Sequence, residues 1–284
     1  MSVASRVYTE HDVEQFFDQT LRNYLDFWDT DGVLHTGYFA AGNHDDYRAA
    51  AQHTSAVLAA EAMIDGSSHV LDVGSGCGNF LTYLARQYGC SGEGLDLSEE
   101  RVKFAMERLA SEKDLRITFR HGSATQMPYQ PGAFTHVVSQ DALCLVPDKP
   151  RSHAEIARVL APGGIFAFSD FLQPKEQVSE RARKHVFDRV RWNGGYSLIG
   201  YQEALDSQGL EILLARNLRG HIRQTYHVLG KTATERAETV PDQAARQWLL
   251  AFAESCLQMQ IAIDDEEFSW GIFVARKRNG RSAA

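Results

Sequence analysis

The chain has 284 residues, 44% hydrophobic and 23% charged, enough to bury a sizeable core and too varied for bulk disorder. The net charge of −8 argues against nucleic acid as a partner: the densest basic interval (Arg181, Arg183, Lys184, Arg189, Arg191) is broken by Glu180 and Asp188 and reads as a solvated helix face. No apolar run approaches a membrane span, no secretory apolar region opens the chain, and the scattered Cys77, Cys90, Cys144 and Cys256 form no CxxC, so the expectation is free thiols in a cytoplasmic protein with no membrane or metal partner.

In chain order, apolar positions at Val13, Phe16, Phe17, Leu21, Tyr24, Leu25 and Trp28 predict a helix over 10–29. A turn at Asp31-Gly32 and a loop, LHTGYF, lead to a second helix over 47–64. Strands are then expected at 69–73, 92–97, 116–120, 134–139 and 164–171, with helices at 80–88, 98–111 and 151–160 between most of them. Ser98 followed by Glu99 and Glu100 makes a strong helix start. This alternation predicts a parallel sheet with helices on both faces. Beyond 171 the expectation is a charged helix over 175–190, a helix over 201–208, a strand over 210–214, a helix over 241–262 and a closing strand over 267–275.

The chain reads as one domain over 1–284. Residues 1–45 are its N-terminal lid, 46–171 the cofactor-binding core, 172–240 a substrate cap, and 241–284 a closing helix and strand. The ends, 1–7 and 277–284, are expected to fray.

The stretch DVGSGCGN (72–79) joins the first strand to its helix. A dinucleotide fingerprint needs a third glycine where Asn79 stands, and a phosphate-binding P-loop needs a terminal lysine that is absent. Asp96 ends the next strand, where a carboxylate can accept both hydroxyls of a ribose. GSATQMPY (122–129) and LAPGG (160–164) complete an ordered set.

Together these four stretches resemble the class I S-adenosylmethionine-dependent methyltransferases over roughly residues 66–175. The resemblance implies a Rossmann-like, doubly wound, mostly parallel seven-stranded sheet with an N-terminal helical lid and a cap insertion. It implies S-adenosyl-L-methionine as cofactor. Asp72, Gly74, Ser75 and Gly76 would lie at its methionine part, Asp96 at its ribose, and Leu97, Ser123 and Ala124 at its adenine, with Gln140 at the strand-four tip. Ser123 stands where the family places the aspartate that accepts from the adenine amino group. The flanking segments are similar to those of sarcosine/dimethylglycine N-methyltransferases and sugar O-methyltransferases, whose loop over the cofactor would map to Thr36, Gly37 and Tyr38. Cys144 replaces a histidine common in that subgroup.

The implied activity is methyl transfer to the amine or hydroxyl of a small metabolite by in-line displacement, with the nucleophile held about 3–3.5 Å from the methyl. C-methylation of a prenyl, terpenoid or indole-like natural product is the alternative, and a nicotinamide-dependent oxidoreductase a distant one. Because such folds bind ligands beyond the strand carboxyl ends, the substrate candidates are Phe17, Trp28, Asp141, Cys144, Gln173, Trp192, Tyr196 and Tyr226. The catalytic candidates are His221, His35 and Tyr24, the histidines because imidazole titrates near neutrality. The apolar N-terminal helix could also pair copies of the chain.

Overall fold

The computed structural model describes residues 7–27, 29–40 and 45–279. Seven strands form one sheet in the order β3-β2-β1-β4-β5-β7-β6. They are β1 (His69–Val73), β2 (Ser91–Asp96), β3 (Ile117–His121), β4 (Phe134–Gln140), β5 (Leu160–Leu172), β6 (Leu210–Asn217) and β7 (Ser269–Lys277). The first five run parallel, and β7 is antiparallel to both β5 and β6. The seven-stranded, mostly parallel sheet expected from the sequence is the one observed.

The strands are apolar because they are covered on both sides. In β5, Ile165, Ala167 and Phe171 enter one core while Phe166, Phe168 and Leu172 enter the other; in β7, Trp270, Ile272 and Val274 alternate in the same way with Phe273 and Ala275. The APGG run lies inside β5 rather than before it. Gly163 has a φ of +73°, and the pairing slips between Phe134–Leu160 and His136–Ile165, so the glycines form a bulge in one strand.

The helices are α1 (Glu10–Phe27), α2 (Tyr47–Glu61), α3 (Asn79–Tyr88), α4 (Glu99–Leu109), α5 (Lys149–Val159), α6 (Glu180–Ala182), α7 (Asp188–Val190), α8 (Leu198–Ser207), α9 (Arg219–Thr239) and α10 (Gln243–Asp264). Ser98 caps α4 as expected, its hydroxyl accepting from Arg101 N at 3.3 Å. Two segments differ from expectation. The helix foreseen over 175–190 is two short α pieces joined by a π turn, Arg183–Phe187, and it ends at Arg191 with φ +61°. The longer π turn shifts the helical phase, so the basic side chains no longer share one solvated face. The second difference is α9, 21 residues that the apolar pattern did not foretell. Its buried face includes Thr225, Ala233 and Ala237 beside Ile222, Tyr226, Val228 and Leu229, so three of these seven are small and the hydropathy signal weakens along the helix.

Helices α9 and α10 pack along one another and, with the 180–190 segment, build a helical wall over the end of the sheet where β5 and β7 meet. Helix α1 lies across α4. Among the described residues, no helix is long and apolar enough to cross a membrane.

Candidate active site

The strand order reverses between β1 and β4, and at that switch point a cleft opens beyond the strand carboxyl ends, as expected for doubly wound sheets. It encloses about 1460 Å³ of atom-free space, part of it open to solvent. Its floor is the glycine loop, the tips of β2 to β4 and the 3-10 turn Leu143–Leu145. Its roof is α1 and the 33–35 loop, and its far wall is Phe171, Arg189 and Tyr226.

The glycine loop is shaped from within. Gly74 N and Ser75 N both donate to Leu95 O, at 2.7 and 3.1 Å. Gly74 has φ +73°, and a Cβ there would sit 2.2 Å from that of Ala142. Gly76, at φ +53°, differs: a Cβ would meet nothing closer than 3.7 Å, so its bare backbone faces open cleft. Asn79 Nδ2 donates to Asp31 O at 2.7 Å and Asn79 Oδ1 accepts from Arg108, which ties the turn after α1 to the loop.

Asp96 accepts from Gly76 N (2.7 Å) and Ser98 N (2.8 Å), one bond on each oxygen, leaving a lone pair on each for a diol. Asp72 is 2% exposed and its Oδ2 has no partner; burial first, then the nearby Asp96 charge, pushes its pKa up to about 8. Ser75 Oγ is likewise buried and unpaired. Arg101, 8% exposed, lies 4.2 Å over the Phe17 ring with Nε and Nη2 unpaired. Unpaired acceptors, donors and bare backbone in one cleft fit a ligand bearing an ammonium, hydroxyls and a carboxylate, as S-adenosylmethionine does.

Opposite the glycine loop, Asp141 sits at the β4 tip with φ +52°. Its Oδ1 accepts from Ser169 Oγ (2.6 Å) and Trp270 Nε1 (2.7 Å), and its Oδ2 from Thr36 N (2.6 Å). The carboxylate thereby pins the loop that carries His35 over the cleft. Burial lowers the pKa of His35, the Asp141 charge opposing, so the imidazole is neutral at pH 7.

Arg189 is the unexpected feature of the far wall. Its guanidinium lies 4.9 Å over the Phe252 ring and 6.0 Å from that of Tyr226, with Nη1 3.1 Å from Met259 Sδ. No acid among the described residues pairs with it. The sequence placed this arginine on a solvated face. That reading holds for the exposed Arg181 and Lys184 but not for Arg189, which the π turn directs into the cleft.

Of the residues singled out from sequence, Phe17, Tyr24, His35, Asp72, Gly74, Ser75, Gly76, Asp96, Leu97, Ala124, Gln140, Asp141 and Tyr226 line this one cleft. Trp28 lies outside the described residues. The others lie elsewhere. Gly37 is packed on Ala50 with its N–H donating to Thr225, and Tyr38 stacks on His221 at 4.2 Å, so the loop over the cleft is Val33, Leu34 and His35 instead. His221, expected as a base, spends Nδ1 accepting from Phe39 N at 3.0 Å. Cys144 is buried within the 3-10 turn, and its thiol faces Asp141 O. Trp192 stacks on Phe187 in the core. Gln173 bonds Lys175 O, Glu176 O and Gly195 N, holding a turn together, and Tyr196 packs against Tyr201. These side chains are held by packing or by backbone groups, although the buried Trp192 indole N–H has no partner. Ser123 donates to Glu10, which does line the cleft. Glu10, Arg101 and Arg189 were missed: periodicity marks which face of a helix is apolar, not which charge the fold turns inward.

Residues 71–168 match the family model described as Methyltransferase domain. Curated relatives extend the likeness along the chain. The glycine/sarcosine/dimethylglycine N-methyltransferase of Actinopolyspora halophila is 26% identical over 96% of this chain, which spans about half (51%) of that protein's length. The sarcosine/dimethylglycine N-methyltransferase of Halorhodospira halochloris is 23% identical over 98% of this chain and 96% of its own. A solved structure from Galdieria sulphuraria, assigned as a sarcosine dimethylglycine methyltransferase, superimposes with a TM-score of 0.82, covers 92% of this chain and 99% of its own, and is 24% identical. The domain is an S-adenosylmethionine-dependent methyltransferase. Its relatives act on small molecules, and the nicotinamide alternative falls away.

Proposed function

We propose that the protein methylates the amine of a small metabolite that also carries an anionic group, a carboxylate or a phosphate. The carrying observation is Arg189, a half-buried guanidinium packed against the Phe252 and Tyr226 rings, without an acid partner among the described residues, on the wall facing the glycine loop. A cation partly withdrawn from water against aromatic rings favours a counter-charge, and the planar fork of arginine matches carboxylate or phosphate. The amino acids named for the two curated relatives combine an amine with a carboxylate, which agrees with this reading.

The bound cofactor supplies an electrophilic sulfonium methyl. The chain's own groups do the rest. Asp96 holds the ribose, and Asp72, Ser75 and the Gly76 backbone hold the polar end of the cofactor. Arg101 offers donors from the side of Phe17. Arg189 anchors the acceptor's anion and so orients its amine. Tyr24, Phe171 and Tyr226 exclude water and offer π-faces to a cationic amine. His35, neutral and pinned through Thr36, takes the proton that the amine or hydroxyl gives up.

The test is a labelled-donor screen of amino acids, phosphorylated amines, neutral amines and hydroxyl compounds, with mass spectrometry of the product. Transfer to anionic amines, and little to their neutral or esterified counterparts, is expected. Equal rates with the esters would refute the role of Arg189. We place the enzyme in the cytoplasm, in keeping with four buried free thiols. Assembly through α1 belongs to the same proposal, since a helix that closes its own cleft can close a neighbour's; light scattering on the purified protein reads it.

A further inference from the structure

Glu10 is the first residue of α1, yet its contacts lie more than a hundred positions further along the chain. Oε1 accepts from Ser123 Oγ at 2.7 Å and from Thr125 Oγ1 at 3.0 Å. Ser123 Oγ also accepts from Thr125 N at 3.0 Å. The two hydroxyls also lie 2.7 Å from each other, so Ser123, Thr125 and Oε1 form one hydrogen-bonded cluster in which each hydroxyl has a single proton to give. Ser123 does not line the cleft, whereas Glu10 does, beside Val13, Leu97, Gly122 and Ala124. No described residue bonds Oε2, and no described cation pairs with the carboxylate.

A ribose held by Asp96 puts its base on the side of Leu97, Gly122 and Ala124, the side Glu10 faces. There a carboxylate, fixed by two hydroxyls through one oxygen, keeps the other as a bare acceptor. The geometry points to Glu10 as the group that accepts from the exocyclic amino group of the cofactor's base, with Ser123 and Thr125 as positioning residues behind it. The role implied for Ser123 thus passes to a side chain from the other end of the domain. It has a second consequence: the base becomes a tether for α1, so cofactor binding fixes the roof of the cleft.

This inference rests on the methyltransferase reading of the cleft, and the experiment separates the two. Isothermal titration compares S-adenosylhomocysteine with S-inosylhomocysteine, in which a carbonyl replaces the amino group. The wild type is expected to favour the adenosyl compound by about tenfold or more, because the carbonyl meets a carboxylate with no proton between them. Glu10→Gln, whose amide can turn to present either N–H or C=O, should bind the two within about threefold of each other. Ser123→Ala should keep most of the wild-type preference, since Glu10 retains Thr125. Thermal melts of the free variants establish that each is folded. Limited trypsin digestion gives an independent reading: S-adenosylhomocysteine should slow cleavage after the exposed Arg22 in the wild type, and S-inosylhomocysteine should do so much less. A preference that survives in Glu10→Gln, or that vanishes in Ser123→Ala while Glu10→Gln keeps it, overturns the assignment and leaves the cofactor reading intact. Failure of the wild type to bind either compound overturns both.

Discussion

At the scale of single residues, the cleft is built from groups that the protein alone does not satisfy. Asp96 keeps one lone pair free on each oxygen, and Asp96→Ala should weaken S-adenosylhomocysteine by about 1.5–3 kcal/mol, the range for bonds to a charged group. Titration calorimetry measures it, and an unchanged affinity removes the ribose assignment. Arg189 is the same argument with the sign reversed. Arg189→Met keeps the stem and removes the charge, so KM for an anionic acceptor should rise by about tenfold or more while the cofactor Kd stays put. Steady-state kinetics with the best acceptor from the screen decides it; equal rises in both constants would mean a collapsed wall instead. Sequence could show neither the vacancy of these groups nor their direction. Asp96 was legible because it follows a strand at a fixed spacing from a glycine loop, whereas Arg189 sits in a run of mixed charges whose surface-like pattern is undone by a π turn.

Elements matter here by what they pin. The 33–36 loop owes its position to Asp141, which takes bonds from Thr36 N, Ser169 Oγ and Trp270 Nε1 across β4, β5 and β7. Asp141→Ala leaves the buried indole N–H and Ser169 without that partner, a cost of about 1–3 kcal/mol per group orphaned. The melting temperature should fall by several degrees, since about 2–4 °C per kcal/mol applies to larger domains. Turnover should fall more than cofactor affinity, because the loop carries His35. Calorimetric melts and kinetics on one preparation compare the two, and a variant that melts like the wild type would show that the loop is held by other means. The residue was expected to touch substrate; the structure gives its oxygens to the scaffold. Helix α9 shows a weaker form of the same limit: Ile222, Tyr226, Leu229, Ala233 and Ala237 keep a helical spacing, but the period fades into alanine toward the end of the helix.

Across the whole molecule, buried acids set a pH dependence. Burial raises Asp72 to about 8 and Asp170 to about 6, the latter also accepting from the Tyr201 hydroxyl and the Phe171 N–H. Each is raised above its unfolded value, so the folded chain holds a proton that the unfolded chain has released. The stability they contribute is complete below pH ~4 and is lost as pH rises through ~6 for Asp170 and ~8 for Asp72. Asp72→Asn should therefore reduce the fall in unfolding free energy between pH 5 and pH 8 by something on the order of 2–4 kcal/mol, read from urea midpoints. Parallel declines in the two proteins would show that Asp72 is ionised throughout. By itself, the sequence determined the sheet, its parallel core and the cofactor, because strand periodicity, the glycine turn and Asp96 are local patterns with local physical causes. Tertiary structure alone decided which side chains face the cleft. That choice depends on a phase shift in one helix, on hydroxyls at β3 meeting a carboxylate from α1, and on histidine, cysteine and tryptophan side chains taken up by their neighbours, and all of these couple residues too far apart in the chain for any spacing to record.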